Sequence, residues 1–115
     1  MSEVTAKNKN DLILIAIIAA VAFAVFANSL TGEFVYDDVR QIVRNPLIQD
    51  NNLIGKALSS DVWAFKGDGT YTASNYWRPT FTAFNILGFR LFGVEPFGWH
   101  FLNLLLHAGV CVLIF

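Results

Sequence analysis

The sequence is nearly free of cysteine, and its charges almost balance. Its one cysteine, Cys111, lies inside an apolar run, where it is a small apolar filler, so the chain can form neither an internal disulfide nor a cysteine metal site. Eight basic residues stand against nine acidic ones, which leaves no bulk electrostatic attraction to nucleic acid. The sequence also has no phosphate-binding glycine loop, zinc-type His/Cys spacing, internal repeat or low-complexity segment.

Apolar residues are abundant instead. They make up 55% of the 115 residues, and phenylalanine alone occupies 11 positions. This is more apolar side-chain material than a soluble domain of this length usually buries. The composition therefore predicts a membrane protein.

The first membrane-spanning helix is predicted from Leu12 to Leu30, after a tail of residues 1–11. Nineteen helical residues extend about 28 Å, close to the ~30 Å hydrocarbon core of a bilayer. A cleaved secretory signal is the alternative, since Lys7 and Lys9 form a basic flank and Val25-Phe26-Ala27 is a tolerable cleavage sequence. A retained anchor is favoured, because the apolar run is longer than a usual signal core and a second apolar segment ends the chain.

The distribution of charge predicts the orientation of this span. Lys7 and Lys9 precede it, whereas Glu33, Asp37 and Asp38 follow it before the first arginine. By the positive-inside rule, the N-terminus is cytoplasmic and the loop of residues 31–98 is extracytoplasmic.

Three short helices are predicted in this loop. The first covers Asp37 to Val43 and ends before Pro46. The second covers Asn51 to Ala64, with Asn51 or Asn52 as its N-cap, and a turn is expected at residues 67–70.

The third helix is predicted from Pro79 to Phe92, with Gly93 as the stop. It is apolar except for four residues expected to face water, namely Thr80, Thr82, Asn85 and Arg90. Fourteen residues are too few to span comfortably, so an interfacial helix against the membrane is expected, and a core helix of a soluble loop domain is the alternative.

A second, truncated span is predicted at residues 99–115. Helical spacing places His100, Asn103 and His107 on one face of it. Polar groups in a span usually face protein or a water-filled cavity. These three side chains are therefore expected to point inward, either as interhelical hydrogen-bonding groups or as part of a catalytic site.

Two adjacent acids, Asp37 and Asp38, follow the first span by a few residues. Neighbouring carboxylates repel each other unless a cation, a metal or a hydroxyl substrate compensates. The pair is therefore either functional or part of a solvated segment that caps a helix, where aspartate is favoured.

A longer ordered pattern surrounds this acidic pair. It comprises Gly32-Glu33-Phe34-Val35-Tyr36-Asp37-Asp38, Ile42, Asn45-Pro46, Trp63, Trp77-Arg78-Pro79 and Pro96-Phe97-Gly98-Trp99-His100 with Asn103 and His107. In this order around a first span, the pattern resembles the transmembrane O-mannosyltransferases with C-terminal tetratricopeptide repeats, and their bacterial relatives. Those proteins belong to the GT-C superfamily of glycosyltransferases.

The resemblance implies a multi-pass enzyme of which this chain is an N-terminal fragment, inactive by itself. The fold expected is an all-α membrane protein, part of a GT-C multi-span helical bundle with a helical extracytoplasmic first loop. The donor would be a polyprenyl-phosphate sugar, the acceptor a hydroxyl of a protein or glycan on the non-cytoplasmic side, and no metal or cofactor would be required. A non-enzymatic membrane anchor with an extracytoplasmic binding loop is the alternative.

The resemblance also implies roles for particular residues. Asp37 and Asp38 match the acidic residues at the reaction centre, with Asp37 as the candidate base. Arg78 is the candidate for the donor phosphate, ahead of Arg40 and Arg44, although a snorkelling interfacial arginine is an equal alternative. His100, Asn103 and His107 are candidates for lining the site. The family commonly has tyrosine where this sequence has Trp77, which leaves the arginine intact.

Overall fold

The computed structural model describes residues 2–66 and 76–115, with side chains from residue 8 onward. Within these ranges the chain is helical or irregular and contains no strand, which confirms the all-α class. The α-helices are α1 (Ser2–Phe26), α2 (Pro46–Gln49), α3 (Ile54–Ser59), α4 (Pro79–Phe92) and α5 (Pro96–Ile114). The chain divides into two compact units, one of residues 1–32 with 96–115 and one of residues 33–95.

The first unit contains the two longest apolar helices. One apolar stretch covers the 24 residues Asn8–Thr31, which are most of α1 and the 3₁₀ turn Ala27–Thr31 after it. The other is α5, with 19 residues. Each is long and apolar enough to cross a bilayer. Many of their large side chains are exposed, as the 63% exposure of Val25 and the 85% exposure of Leu113 illustrate.

These two helices pack side by side and run antiparallel. His100 lies beside Gly32, where a Cβ atom would stand 3.5 Å from the histidine Nε2. Further along, the ring of Phe26 meets that of His107, and α1 residues around Val21 share a groove with Cys111. Phe23 and Phe101 add an edge-to-face contact with ring centroids 6.2 Å apart.

The second unit is a small helical cluster in which α2, α3 and α4 contact one another. Its buried apolar residues are Ile42, Leu47, Ile48 and Ala57, of which Ile48 is only 1% exposed. The helix α2 starts at an Asn-Pro pair, because Asn45 Oδ1 accepts a hydrogen bond of 3.0 Å from the backbone N–H of Leu47. Proline at the first helical position loses no hydrogen bond there.

The second loop helix differs from the prediction. A 3₁₀ turn of Asn51–Leu53 leads into α3, which ends at Ser59, and a separate 3₁₀ turn covers Ala64–Lys66. The cap is Asp50, whose carboxylate accepts from the N–H of Asn52 at 2.8 Å. The predicted helix of residues 51–64 with an asparagine cap was therefore wrong, since extended backbone at Ser60 interrupts it. The turn expected at residues 67–70 lies outside the described residues.

The third loop helix, α4, has the bounds that the sequence predicted. Gly93 ends it with φ +56°, a left-handed conformation that glycine adopts without a steric penalty. The water-facing stripe was partly wrong, because Thr82 and Asn85 are each only 7% exposed while Leu87 and Leu91 are 57% and 62% exposed. The small polar side of α4 packs onto the other loop helices, and part of its apolar side faces outward.

Candidate functional site

The acidic pair opens the first helical segment of the second unit. Asp37 and Asp38 are α-helical and lead into the π-helical turn Val39–Val43. The backbone N–H of Asp38 donates to the carbonyl of Val35 at 3.1 Å, which fixes the tight turn into this segment. Asp37 is exposed and Asp38 is half-buried, so the two carboxylates have different access to solvent.

The residue before the pair has an unusual backbone. Tyr36 has φ +48°, and it is the one non-glycine residue with positive φ in the described part of the chain. A left-handed conformation costs a residue with a Cβ atom roughly 1–2 kcal/mol. The tyrosine ring gains little from packing, since the residue is 92% exposed. The local strain therefore belongs to the turn that presents Asp37, and such strain concentrates at functional sites.

The other end of the segment is held by a side chain from α2. Gln49 Nε2 donates to the carbonyl oxygens of Ile42 and Val43 at 2.8 and 3.0 Å. These carbonyls are at the end of the π-helical turn, where no further helical N–H groups follow. The segment that carries the acidic pair is thus anchored to the helical cluster at its C-terminal end.

The carboxylates of the pair are not used to hold the fold together. Among the residues that the structure describes, no hydrogen bond or ion pair engages the side chain of Asp37 or Asp38. Neither carboxylate therefore forms the hydrogen bond of a helix cap within the described residues. Carboxylates in this state can accept a proton or a hydrogen bond from a hydroxyl. The described residues contain no group of three or more metal-ligating side chains.

The structure does not bring the candidate arginines into contact with the pair. Arg40 is exposed and lies two residues after Asp38. Arg78 is exposed just before α4, and its guanidinium carbon lies 5.0 Å from the ring centroid of Tyr76, a cation–π distance. Within residues 8–66 and 76–115, neither arginine forms an ion pair with the acidic pair. Both guanidinium groups are open to solvent and to an anion.

The three polar residues of α5 line one pocket in the first unit, which we call the α5 pocket. His100, Asn103 and His107 share this pocket of about 300 Å³ with Phe26, Ser29 and Leu104. That volume is at the lower end of the range for small-molecule sites. His107 also meets the Phe26 ring edge-on at 4.9 Å, and its Nε2 lies 3.7 Å from Cys111 Sγ.

Sequence reasoning missed three residues of these sites. Phe26 and Ser29 line the α5 pocket. Phe26 lies within the apolar run and Ser29 lies just after it, so nothing in the sequence marked either residue as part of a site. The backbone strain at Tyr36 was also missed, because aspartate, asparagine and glycine are the usual signals for positive φ and tyrosine is not.

Comparison with known proteins reveals a consistent set of relatives. Human protein O-mannosyl-transferase TMTC4 is 33% identical over 97 residues, which are 84% of this chain. Mouse protein O-mannosyl-transferase TMTC1 is 33% identical over 100 residues, or 86% of this chain, and fruit-fly Tmtc1 is 31% identical over 107 residues, or 91%. The chain is homologous to part of the protein O-mannosyl-transferases. This confirms the family that the sequence pattern resembled.

The match to the O-mannosyl-transferases includes the candidate loop residues. An alignment over 84% of 115 residues covers positions 37, 38 and 78 wherever it begins. The chain spans only about an eighth of its relatives, since it covers 13%, 12% and 10% of the three proteins. No protein-family model matches the chain, and no solved structure does either. Together with the two long apolar helices, the homology indicates association with a membrane.

Proposed function

We propose that this chain contributes the acidic first loop of a membrane O-mannosyltransferase, which moves a sugar from a polyprenyl-phosphate donor to an acceptor hydroxyl. The observation that carries the proposal is the homology to the O-mannosyl-transferases over the region that contains Asp37 and Asp38. The exposure of Asp37 and the absence of a structural task for its carboxylate, in the part of the chain described, support its role as the base.

In the proposed reaction, the carboxylate of Asp37 takes the proton of the acceptor hydroxyl as its oxygen bonds to the anomeric carbon of the sugar. The bond from that carbon to the phosphate oxygen breaks, and its electron pair leaves with the lipid phosphate. Asp38 supports Asp37 or exchanges roles with it. A guanidinium group neutralises the departing phosphate, for which Arg78 is the first candidate and Arg40 the second.

The membrane arrangement is part of the proposal. The N-terminus is cytoplasmic, α1 and α5 cross the bilayer, and the loop of residues 31–98 is on the other side. The helix α4 lies along the interface, because its exposed face carries Phe81, Leu87 and Leu91 and only three residues separate it from α5. Lipid is the environment in which such a face is stable.

The test is a comparison of sugar donors with the purified full-length protein. Polyprenyl-phosphate mannose should support transfer to an acceptor peptide or glycan, and a nucleotide-linked mannose should not. Transfer from the nucleotide sugar alone would contradict the donor assignment. Absence of transfer from either donor, with a protein that binds the acceptor, would favour the non-enzymatic anchor, for which the names of the matched relatives give no support.

A further inference from the structure

A second pocket, separate from the α5 pocket, lies inside the helical cluster of the second unit. We call it the loop pocket. Its polar lining residues are Gln41, Asn45, Asp61, Thr82 and Asn85, and its apolar lining includes Leu47, Ile48 and Phe81. The space that a water-sized molecule can occupy in it is about 10 Å³, close to the minimum for one water.

Three of the polar side chains in the loop pocket are more than nine-tenths buried. Asn45, Thr82 and Asn85 are 5%, 7% and 7% exposed. Asn45 Oδ1 is occupied by the N–H of Leu47. In the part of the chain that the structure describes, its Nδ2, the hydroxyl of Thr82 and the amide of Asn85 have no hydrogen-bond partner.

Buried polar groups without partners are costly, and they are rare in folded proteins. None of these groups is fully sealed, because each keeps some contact with solvent through the pocket. A small molecule in the loop pocket can therefore reach them. Together they offer amide and hydroxyl donors and amide and hydroxyl acceptors, a set that matches a neutral group that both donates and accepts.

We propose that the loop pocket is a binding site for one hydroxyl group, held by Asn45, Thr82 and Asn85. The small volume excludes a whole sugar ring from its interior, and a lining of amides, a hydroxyl and the Asp61 carboxylate, with no cation among the lining residues, disfavours a phosphate. The hydroxyl belongs either to a single water molecule or to one hydroxyl of a sugar whose ring stays outside. If the hydroxyl is that of a sugar, this proposal rests on the proposed function. If the hydroxyl is that of water, it does not.

Two features of the loop pocket suit it to receive a sugar hydroxyl. Gln41 lines it and lies four residues, about one helical turn, after Asp37. Phe81 also lines it and is 41% exposed, so an apolar ring edge adjoins the polar interior. Sugar rings present apolar C–H faces beside their hydroxyl groups, which suits this combination.

The test uses Thr82→Val in the full-length protein, with Thr80→Val as the matched control because Thr80 lies on the same helix and is exposed. If a water molecule is bound, valine removes one of its partners and leaves the asparagine amides less satisfied, so Tm without substrate should fall by about 2–4 °C. If nothing is bound, valine removes an unsatisfied buried hydroxyl, so Tm should stay equal or rise. Asn85→Leu provides a second variant, for which the same lower Tm or the same equal or higher Tm is expected in these two cases.

The KM for the sugar donor and for the acceptor distinguishes the source of the hydroxyl. A lower Tm with unchanged KM values identifies water. A KM increase of about fivefold or more for Thr82→Val, but not for Thr80→Val, identifies a sugar hydroxyl. A Tm that is equal or higher in both Thr82→Val and Asn85→Leu, with unchanged KM values, would overturn the proposal. The Tm measurement needs no transferase activity, so its outcome is independent of the proposed function.

Discussion

The Oδ2 atom of Asp61 accepts a hydrogen bond of 2.9 Å from the backbone N–H of Tyr76, fifteen residues further along the chain. Its Oδ1 accepts from the N–H of Trp63 at 2.8 Å, and the N–H of Val62 donates to the carbonyl of Tyr76 at 3.0 Å. One carboxylate thus joins the segment that follows α3 to the segment that precedes α4.

We expect Asp61→Ala to loosen the second unit. Hydrogen bonds to charged groups contribute about 1.5–3 kcal/mol each, so the backbone N–H groups of Trp63 and Tyr76 should lose a large part of their protection from hydrogen exchange. Asp50→Ala is the control, because the carboxylate of Asp50 bonds only to Asn52, two residues away, in the described chain. Equal exchange at Tyr76 in both variants would show that Asp61 does not hold the two segments together.

The strained backbone at Tyr36 leads to a second prediction. Tyr36→Gly should raise the free energy of unfolding by roughly 0.5–1 kcal/mol, because glycine adopts positive φ without a penalty but loses more chain entropy on folding. Tyr36→Val should lower it by about 1 kcal/mol or more, because a β-branched residue tolerates positive φ poorly. The control is Val35→Gly, the neighbouring exposed residue without positive φ, where glycine should destabilise. Stabilisation by glycine at both positions would rule out strain at Tyr36 as the cause.

Features of the fold that depend on residues close together in sequence could be predicted, whereas features that depend on distant residues could not. Pro79 and Gly93 set the ends of α4 through their own backbone preferences, so its bounds were predictable. The buried side of α4 was not, because Thr82 and Asn85 are buried by contact with α2 and α3, which are distant in sequence. In a membrane protein the outward face is apolar, so polarity alone no longer tells which side is covered.

The candidate site was predictable to a similar degree. Asp37 and Asp38 were singled out by the ordered pattern that resembles the family, since their chemistry alone also fits a helix-capping segment, and helical spacing grouped the three polar residues of α5. The loop pocket was not visible, because Asn45 and Asn85 are forty residues apart in sequence. Only tertiary packing brings their side chains to the same cavity.

The phosphate contact is tested by Arg78→Lys in the full-length protein. Lysine keeps the charge but loses the planar fork that binds phosphate through two hydrogen bonds. We expect the KM for the polyprenyl-phosphate donor to rise severalfold, on the order of 10-fold, while the KM for the acceptor is unchanged. Arg90→Lys is the control, since Arg90 is also exposed but lies near the end of α4. An unchanged donor KM in Arg78→Lys would return Arg78 to the snorkelling interpretation.

The orientation is tested by single cysteines in a Cys111→Ser background. Asn51→Cys should react with a membrane-impermeant thiol reagent in intact cells, because Asn51 is exposed and the loop is proposed to be extracytoplasmic. Lys9→Cys, on the other side of α1, should react only after the membrane is opened. The reversed labelling pattern would place the acidic pair in the cytoplasm and refute the proposed sidedness.

The acidic pair is tested most directly by sugar transfer from a polyprenyl-phosphate donor, measured with purified full-length parent and Asp37→Asn proteins at matched amounts. A general base contributes about 10²–10⁴-fold, so Asp37→Asn should lower kcat on that order, and Asp38→Asn should cost less. Glu33→Gln, a change at an exposed acid four residues earlier, should leave transfer unchanged. Undiminished transfer by the Asp37→Asn protein would remove Asp37 from catalysis, and undiminished transfer by the double asparagine variant would contradict the mechanism.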